Sequence, residues 1–292
     1  MKYSDLYPVS VIGLGCADLS QPSVWLPYRN LLAESDIICG GKSQLAALAK
    51  ALPELAPQES GEPCHCNESN TPQAAKLPTD SGSQQQPPHA TAQKSRRFLP
   101  IGAGFDALLD ELCRLREQGE KIVVLASGDP LFYGVGASLA ARFGEEGEKV
   151  RSGLVIYPAV SSMQEACSRL ALPWDDAIFV SLHGRDENIH TLYNAVHGAR
   201  CARPVCVLLD HKRSPAQLAA ALLERGITAY TMHFFAGLES RHTALKSPSA
   251  TGCECENGAA LYVSAPLTEA PQTMPANAPA PGLLILEPHR RA

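Results

Sequence analysis

The chain has 292 residues, enough to bury a substantial core and to form about two domains of ordinary size. Its 25 lysines and arginines against 30 aspartates and glutamates give a formal net charge of -5, which argues against sequence-independent binding to nucleic acid, because such binding needs clustered basic residues. No stretch approaches the roughly 20 consecutive apolar residues of a membrane span, and the N-terminus has no basic region followed by an apolar run, so we expect a cytoplasmic protein that does not enter a membrane.

Strand and helix patterns alternate through the first half of the chain, which is typical of βαβ units around a mainly parallel sheet. Short apolar runs predict strands at residues 9–13, 37–39 and 122–126. Apolar residues at helical spacing predict a helix over residues 42–52 and another that begins near Phe105 and ends at Gly119. A further strand stops before Pro158, and a helix begins near Ser161.

The second half repeats this alternation, with strands predicted at residues 178–181, 205–209, 229–234 and 283–287, the last completing a second sheet. Ser214 can cap a helix that starts at Pro215, and a loop is predicted between the first two of these strands. Residues 57–95 contain no Val, Ile, Met or aromatic residue and predict a disordered insertion, while residues 247–281, rich in Pro and Ala, predict a second insertion. We therefore predict two α/β domains, residues 1–172 and 173–292.

Two turns that follow predicted strands are the most informative part of the sequence. The strand at 122–126 runs directly into Ser127, Gly128, Asp129 and Pro130, and the strand before Pro158 runs into the segment PAVSS at 158–162. Ligands of open α/β sheets bind beyond the carboxyl ends of the strands, where backbone groups are left unpaired by the ladder. The sequence therefore predicts a ligand crevice at these two turns.

Familiar ligand-binding and catalytic motifs are incomplete in this chain. The GLG at 13–15 would need a third glycine where Asp18 stands to bind a dinucleotide, and the GGKS at 40–43 would need a glycine in place of Asp36 to bind phosphate. There is no G-x-S-x-G elbow for a nucleophilic serine, so no catalytic residue is assigned. The ten cysteines lack the spacing of common zinc sites, and we predict no metal site.

Four segments together resemble the tetrapyrrole methylase family: GLG at 13–15, SGDPLFYGVG at 127–136, PAVSS at 158–162 and SLHGRD at 181–186. Within the family, three segments are most similar to those of members that methylate C(5) of precorrin-7 or cobalt-precorrin-7 in cobalamin biosynthesis: SGDPLFYG at 127–134, the run that ends in LPWDD at 172–176, and SLHGR at 181–185. The resemblance implies a homodimer of two-domain α/β chains, with S-adenosylmethionine in the cleft between the domains. Carried over by position, it assigns cofactor contacts to Cys16, Gly128, Asp129, Phe132, Ser161, Ser162 and Leu209.

The resemblance also implies an acidic tetrapyrrole substrate, whose carboxylates need cations around the cleft. His183 and Arg185 are the predicted substrate contacts, and Arg185 could bind a carboxylate through two parallel hydrogen bonds. A separate enzyme is expected to perform the neighbouring C(15) methylation and decarboxylation. The FAGL sequence at 235–238 departs from the family pattern, which weakens any assignment to Ala236 or Leu238.

Two other functions stay open. The chain could be a methyltransferase of this family that acts on another porphyrinoid position or another acceptor, or a binding module that keeps the fold without turnover. For Asp129 we expect replacement by alanine to leave the fold cooperative, as at a turn residue with little burial, and to weaken cofactor binding.

Overall fold

A computed structural model describes residues 6–57, 96–102, 104–143, 153–182, 188–198, 203–209, 212–238, 261–276 and 282–289. In these residues the strands form two five-stranded sheets. The insertion predicted at 57–95 lies outside the described residues except for position 57. Within the described ranges, no helix is long and apolar enough to cross a membrane.

The first sheet is entirely parallel and has the strand order β3-β2-β4-β1-β5. Its strands are β1 (Val9–Gly13), β2 (Ile37–Gly40), β3 (Arg97–Pro100), β4 (Ile122–Ala126) and β5 (Leu154–Tyr157). The helices that accompany it are α1 (Arg29–Glu34), α2 (Lys42–Ala51), α3 (Phe105–Glu117), α4 (Val135–Phe143) and α5 (Ser162–Arg169). Because the strands are parallel, their carboxyl ends share one edge of the sheet, where the predicted crevice turns lie.

Both faces of the first sheet are covered, which explains its uninterrupted apolar strands. All five residues of β4 are buried; Val124 packs with α3 and α4 on one face, while Val123 and Leu125 pack with α2 on the other. The same alternation divides β2, where Ile37 and Ile38 lie in opposite clusters.

The second sheet is mixed, with the order β6-β7-β10-β8-β9. Its strands are β6 (Ile178–Ser181), β7 (Val205–Leu208), β8 (Tyr230–Ala236), β9 (Leu261–Pro266) and β10 (Gly282–Pro288), with helices α6 (Asn188–Gly198), α7 (Pro215–Leu223) and α8 (Ala270–Thr273). Only β6 and β7 pair in parallel; β10 is antiparallel to both β7 and β8, and β8 is antiparallel to β9. The expectation of mainly parallel sheets is therefore wrong here.

The second half differs from the sequence prediction in two other places. The segment predicted as a loop contains α6, and the predicted insertion at 247–281 contains α8 as well as β9, which begins at the apolar run 261–263 that indicates a short strand there. The last strand completes the sheet as expected and lies at its centre, because residues 283–286 are apolar and buried on both faces. The domain boundary between residues 172 and 173 stays a prediction.

Helix α5 packs against the second sheet. One face of the second sheet is covered by α6, α7 and α8, and the other packs against α5 and the segment after β1. This second cluster joins Cys16 and Met163 to Cys206, Phe235 and Ile285. The helix that begins beside the predicted crevice is therefore held by apolar contacts with both halves of the chain.

Candidate active site

The turn after β4 is hydrogen bonded to the turn after β1. The N–H of Gly15 donates to the carbonyl of Gly128 at 3.1 Å, and the N–H of Gly128 donates to the carbonyl of Gly15 at 3.3 Å. Both residues have positive φ angles, 61° and 62°, a conformation that glycine adopts without steric cost. The GLG and SGDP segments thus form one continuous edge at the carboxyl ends of β1 and β4.

The carboxylate of Asp129 joins this edge to the turn after β5. Its Oδ1 accepts hydrogen bonds from the N–H groups of Leu131 at 2.9 Å and Phe132 at 3.1 Å, and its Oδ2 accepts one from Ala159 at 3.2 Å. Both oxygens therefore hold backbone groups of the protein. The expectation that Asp129 contributes little to stability is corrected by these three bonds.

Close packing at Gly13 brings the three turns together. A Cβ atom on Gly13 would lie 2.7 Å from Cδ of Pro130 and 2.9 Å from Cβ of Ala159, distances that real side chains do not tolerate. At Gly128, by contrast, no atom of the described residues, apart from its neighbours in the chain, lies within 4 Å of the position that a Cβ would take. The first glycine therefore serves packing, while the second leaves free space beside the backbone at the strand end.

Ser161 caps the helix that starts at the crevice. Its hydroxyl accepts a hydrogen bond from the N–H of Gln164 at 3.2 Å, and Oε1 of Gln164 accepts one from the N–H of Ser161 at 2.9 Å. This is a capping box, as expected for a serine before a helix with glutamine three residues later. Ser162, the first residue of α5, is half-buried beside it.

The other predicted contact residues differ in their surroundings. Cys16 is buried, and the half-buried ring of Phe132 packs edge-on against Phe179 at 5.3 Å between centroids. Leu209 lies at the end of β7, but its side chain is buried on the helix-covered face of the second sheet. His183 and Arg185 lie outside the described residues.

The structure thus brings together six of the seven predicted cofactor contacts around the strand-end turns, namely Cys16, Gly128, Asp129, Phe132, Ser161 and Ser162. The side chain of Leu209 belongs to a different core. Hydrogen bonds across the turns, rather than proximity in sequence, hold the six in place.

Sequence reasoning missed two residues at this edge. Gln44, buried at the start of α2, donates from Nε2 to the hydroxyl of Ser127 at 2.9 Å and accepts from the N–H of Gly41 at 2.8 Å. The sequence did contain a signal for Gln44, because a glutamine at the third position of a helix can accept a hydrogen bond from the backbone N–H of the residue before the helix. Tyr133, whose φ is 53°, donates its hydroxyl to the carbonyl of Phe179 at 3.0 Å, and no sequence pattern indicated this contact.

The described part of the crevice offers oriented backbone groups and apolar walls. In the described residues, no group of three or more His, Cys, Asp or Glu side chains is placed to hold a metal ion. At the end of β2, burial raises the pKa of the Cys39 thiol to about 12, which keeps it protonated. This arrangement suits the binding and orientation of a ligand more than proton transfer by side chains.

A surface cavity of about 530 Å³ lies along α5, from Gln164 in the capping box past Cys167 and Ser168 to residues 171–175. None of the seven predicted cofactor contacts lines it. Since ligands of parallel sheets bind at the carboxyl ends of strands, we place the active site at the hydrogen-bonded turns and not in this cavity.

Comparison with known proteins identifies the family of the chain. The family model described as tetrapyrrole (corrin/porphyrin) methylases matches residues 8–242. The chain belongs to the tetrapyrrole methylase family. The resemblance inferred from the four sequence segments is thereby confirmed.

Two relatives of the chain have names that refer to precorrins. The cobalt-precorrin-7 C(5)-methyltransferase of Salmonella typhimurium is 38% identical over 126 residues, 43% of this chain and 55% of that protein. The chain thus matches about half the length of this relative. The decarboxylating precorrin-6Y C(5,15)-methyltransferase of a Sinorhizobium species is 39% identical over 110 residues, 37% of this chain and 24% of that protein.

A solved tetrapyrrole methylase supports the fold. Uroporphyrin-III C-methyl transferase from Thermus thermophilus, complexed with S-adenyl homocysteine, superimposes with a TM-score of 0.54 at 17% identity, covering 96% of this chain and 97% of that one. This likeness confirms the predicted two-domain α/β fold class.

Proposed function

We propose that the protein is an S-adenosylmethionine-dependent C-methyltransferase that methylates C(5) of cobalt-precorrin-7 or precorrin-7 in cobalamin biosynthesis. The observation that supports this most strongly is the 38% identity with the Salmonella C(5)-methyltransferase. The family fold and the hydrogen-bonded crevice turns are consistent with it.

We propose S-adenosylmethionine as the cofactor bound in the crevice. Gly128 leaves open space beside its backbone, and the related Thermus structure contains S-adenyl homocysteine. When bound, S-adenosylmethionine supplies a methyl group already activated by its sulfonium charge, so the protein needs no nucleophile of its own for this step.

The proposed cofactor contacts divide into two groups. Gly128, Phe132, Ser162 and the backbone after Cys16 would touch the cofactor directly, and Leu209 would do so through its carbonyl group. The side-chain oxygens of Asp129 and Ser161 already accept backbone hydrogen bonds, so these residues would fix the turns that bind it.

For the acceptor, we propose that His183 and Arg185 bind the peripheral carboxylates of the tetrapyrrole. A guanidinium can hold a carboxylate with two parallel hydrogen bonds, which fixes orientation as well as position. The contribution of the protein to rate would then be the alignment of the acceptor carbon with the methyl group in a cleft that excludes water.

We further propose a cytoplasmic homodimer that works beside a separate C(15)-methyltransferase and decarboxylase. The name of the Sinorhizobium relative combines the C(5) and C(15) positions, and the match to this chain covers only 24% of that longer protein. Sedimentation of the purified protein tests the dimer directly, because a monomer at micromolar concentration would contradict it.

The test of the proposed activity is methyl transfer with isotopically labelled S-adenosylmethionine and, separately, cobalt-precorrin-7 and precorrin-7. We expect one labelled methyl group per macrocycle with at least one of the two acceptors, detected by mass spectrometry. Cofactor binding without transfer to either acceptor would instead support a binding module, and transfer only to another acceptor would support a different member of the family.

A further inference from the structure

Exposed apolar side chains are concentrated on the crevice turns. Seven large apolar residues are exposed in the described part of the chain, and three of them stand on the turns after β4 and β5: Leu131 at 48%, Tyr133 at 43% and Val160 at 39%. Single exposed apolar residues are ordinary on protein surfaces, but several on two adjoining turns indicate a surface that binds something.

These side chains are carried on one rigid support. The N–H of Leu131 and the N–H of Ala159, which precedes Val160, are bonded to the two oxygens of the same Asp129 carboxylate. The backbones that bear Leu131 and Val160 are therefore fixed next to each other. We call the side chains of Leu131, Tyr133 and Val160 the crevice rim.

Tyr133 is held in an unusual conformation within this rim. Its φ of 53° is sterically unfavourable for a bulky residue and persists only where surrounding contacts impose it. Glycine would adopt the same φ without strain, so a tyrosine here needs a reason that outweighs the cost.

The hydroxyl of Tyr133 supplies one of the imposing contacts. It donates to the carbonyl of Phe179 on β6, an edge strand of the second sheet. Along β6, every second residue directs its backbone N–H and carbonyl groups toward β7, and Ile178 and Leu182 are bonded in this way. Phe179 lies between such positions, so its carbonyl points away from the sheet. The tyrosine therefore spans from the first half of the chain to the second, while its ring stays accessible at the crevice.

We propose that the crevice rim is the surface on which the flat face of the tetrapyrrole acceptor lies, and that Tyr133 positions the acceptor by stacking. This inference rests on the proposed function and assigns residues to the acceptor side of the same site. A precorrin is a reduced, partly conjugated macrocycle with an apolar face and carboxylates at its periphery, so its face matches an apolar, aromatic surface. A ring fixed at its hydroxyl loses little conformational freedom when the acceptor binds.

The test compares two variants of Tyr133 with a tyrosine at the opposite end of the first sheet. Tyr133→Gly removes the ring and relieves the backbone, Tyr133→Phe removes only the hydroxyl, and Tyr7→Gly removes an exposed ring before the amino end of β1. KM and kcat are measured with cobalt-precorrin-7, or with precorrin-7 if only that compound is methylated, and the Kd of S-adenosylhomocysteine by calorimetry.

We expect Tyr133→Gly to raise the KM of the acceptor by about tenfold, with the Kd of S-adenosylhomocysteine within about twofold of wild type. Tyr133→Phe keeps the ring but releases it from Phe179, so it should raise the KM of the acceptor by about threefold, clearly less than Tyr133→Gly. Tyr7→Gly should stay within about twofold of wild type for both quantities. If Tyr133→Phe raised KM as much as Tyr133→Gly, the hydroxyl bond would be the important feature, and the stacking proposal would be refuted. An unchanged KM in Tyr133→Gly would also refute it.

A second pair of variants does not depend on the folding of Tyr133→Gly. Val160→Ser changes the rim, whereas Val155→Ser makes the same change at a valine of nearly equal exposure, 38%, on β5. We expect a severalfold rise in acceptor KM for the first and none for the second, and equal KM values would overturn the proposal. If the wild-type protein methylates the acceptor and the rim variants have unchanged KM values, only this inference is refuted. If the wild-type protein methylates no tetrapyrrole, the proposed function is refuted and this inference with it.

Discussion

Replacing Asp129 with alanine should destabilise the folded protein by about 2 to 3 kcal/mol. Its carboxylate accepts three backbone hydrogen bonds, two within its own turn and one from Ala159, thirty residues away. A half-buried bond of this kind contributes about 0.5 to 1.5 kcal/mol net, and the alanine variant strands all three N–H groups. Because the bonds hold two crevice turns together, the affinity for S-adenosylhomocysteine should fall by about tenfold, or about 1.4 kcal/mol, in the same variant.

Urea unfolding and calorimetric titration on the same preparations test this reasoning. Asp129→Asn keeps one acceptor oxygen for the turn but not the bond from Ala159, so it should lose about 1 kcal/mol. Asp110→Ala is the matched control, because Asp110 is an exposed aspartate whose side chain pairs with Arg142 at 2.8 Å; its loss should stay below about 1 kcal/mol. Equal stabilities of Asp129→Ala and Asp110→Ala, together with unchanged cofactor affinity, would refute the assigned role.

Four further variants test other parts of the structure. Ser161→Ala and Ser214→Ala each remove a capping box and should each cost about 1 kcal/mol in urea, but only the first should weaken S-adenosylhomocysteine binding; equal effects on binding would contradict the placement of the crevice. Gly13→Ala forces a Cβ to within 2.7 Å of Pro130 and should lower stability by about 1 to 3 kcal/mol, so an unchanged melting temperature would be inconsistent with the packing. Burial lowers the pKa of His233 below its ordinary value of 6.5. As the pH falls, this histidine therefore binds a proton more readily in the unfolded chain than in the folded one, and the free energy of unfolding should decrease below about pH 6.5. Measured by urea titrations across that range, His233→Gln should show a weaker pH dependence than wild type, and an identical one would contradict the assignment.

Local sequence patterns predicted much of the first half of the fold, because its strands are buried on both faces. The apolar runs of β1 and β4 have the same bounds in the structure as in the sequence analysis. The caps at Ser161 and Ser214 were also predicted correctly, since a helix start depends on a few adjacent residues. By contrast, α6 was taken for a loop although Ile189, Leu192 and Val196 recur at helical spacing.

The arrangement of the second sheet could not be predicted in the same way. The insertion of β10 between β7 and β8 depends on pairing between segments far apart in the chain. Local apolarity indicated that β10 is a strand but did not identify its neighbours.

In the candidate site, too, local features were predicted from the sequence and contacts between distant segments were not. The SGDP and PAVSS turns were located from their positions after strands, but the bond between Asp129 and Ala159 exists only once β4 and β5 are placed in one sheet. The positive φ of Tyr133 and its bond to Phe179 likewise depend on contact between distant segments. Sequence therefore predicted which turns follow the strand ends, and the structure was needed to tell which side chains hold those turns in place.

The position of the transferred methyl group tests the central claim most directly. Cobalt-precorrin-7 and precorrin-7 are each incubated with the protein and S-adenosylmethionine labelled with ¹³C in its methyl group, and the product is examined by NMR. The proposed function predicts a single enriched methyl signal correlated with C(5) of the macrocycle. Enrichment at any other carbon, or no enrichment with either acceptor despite cofactor binding, would contradict it.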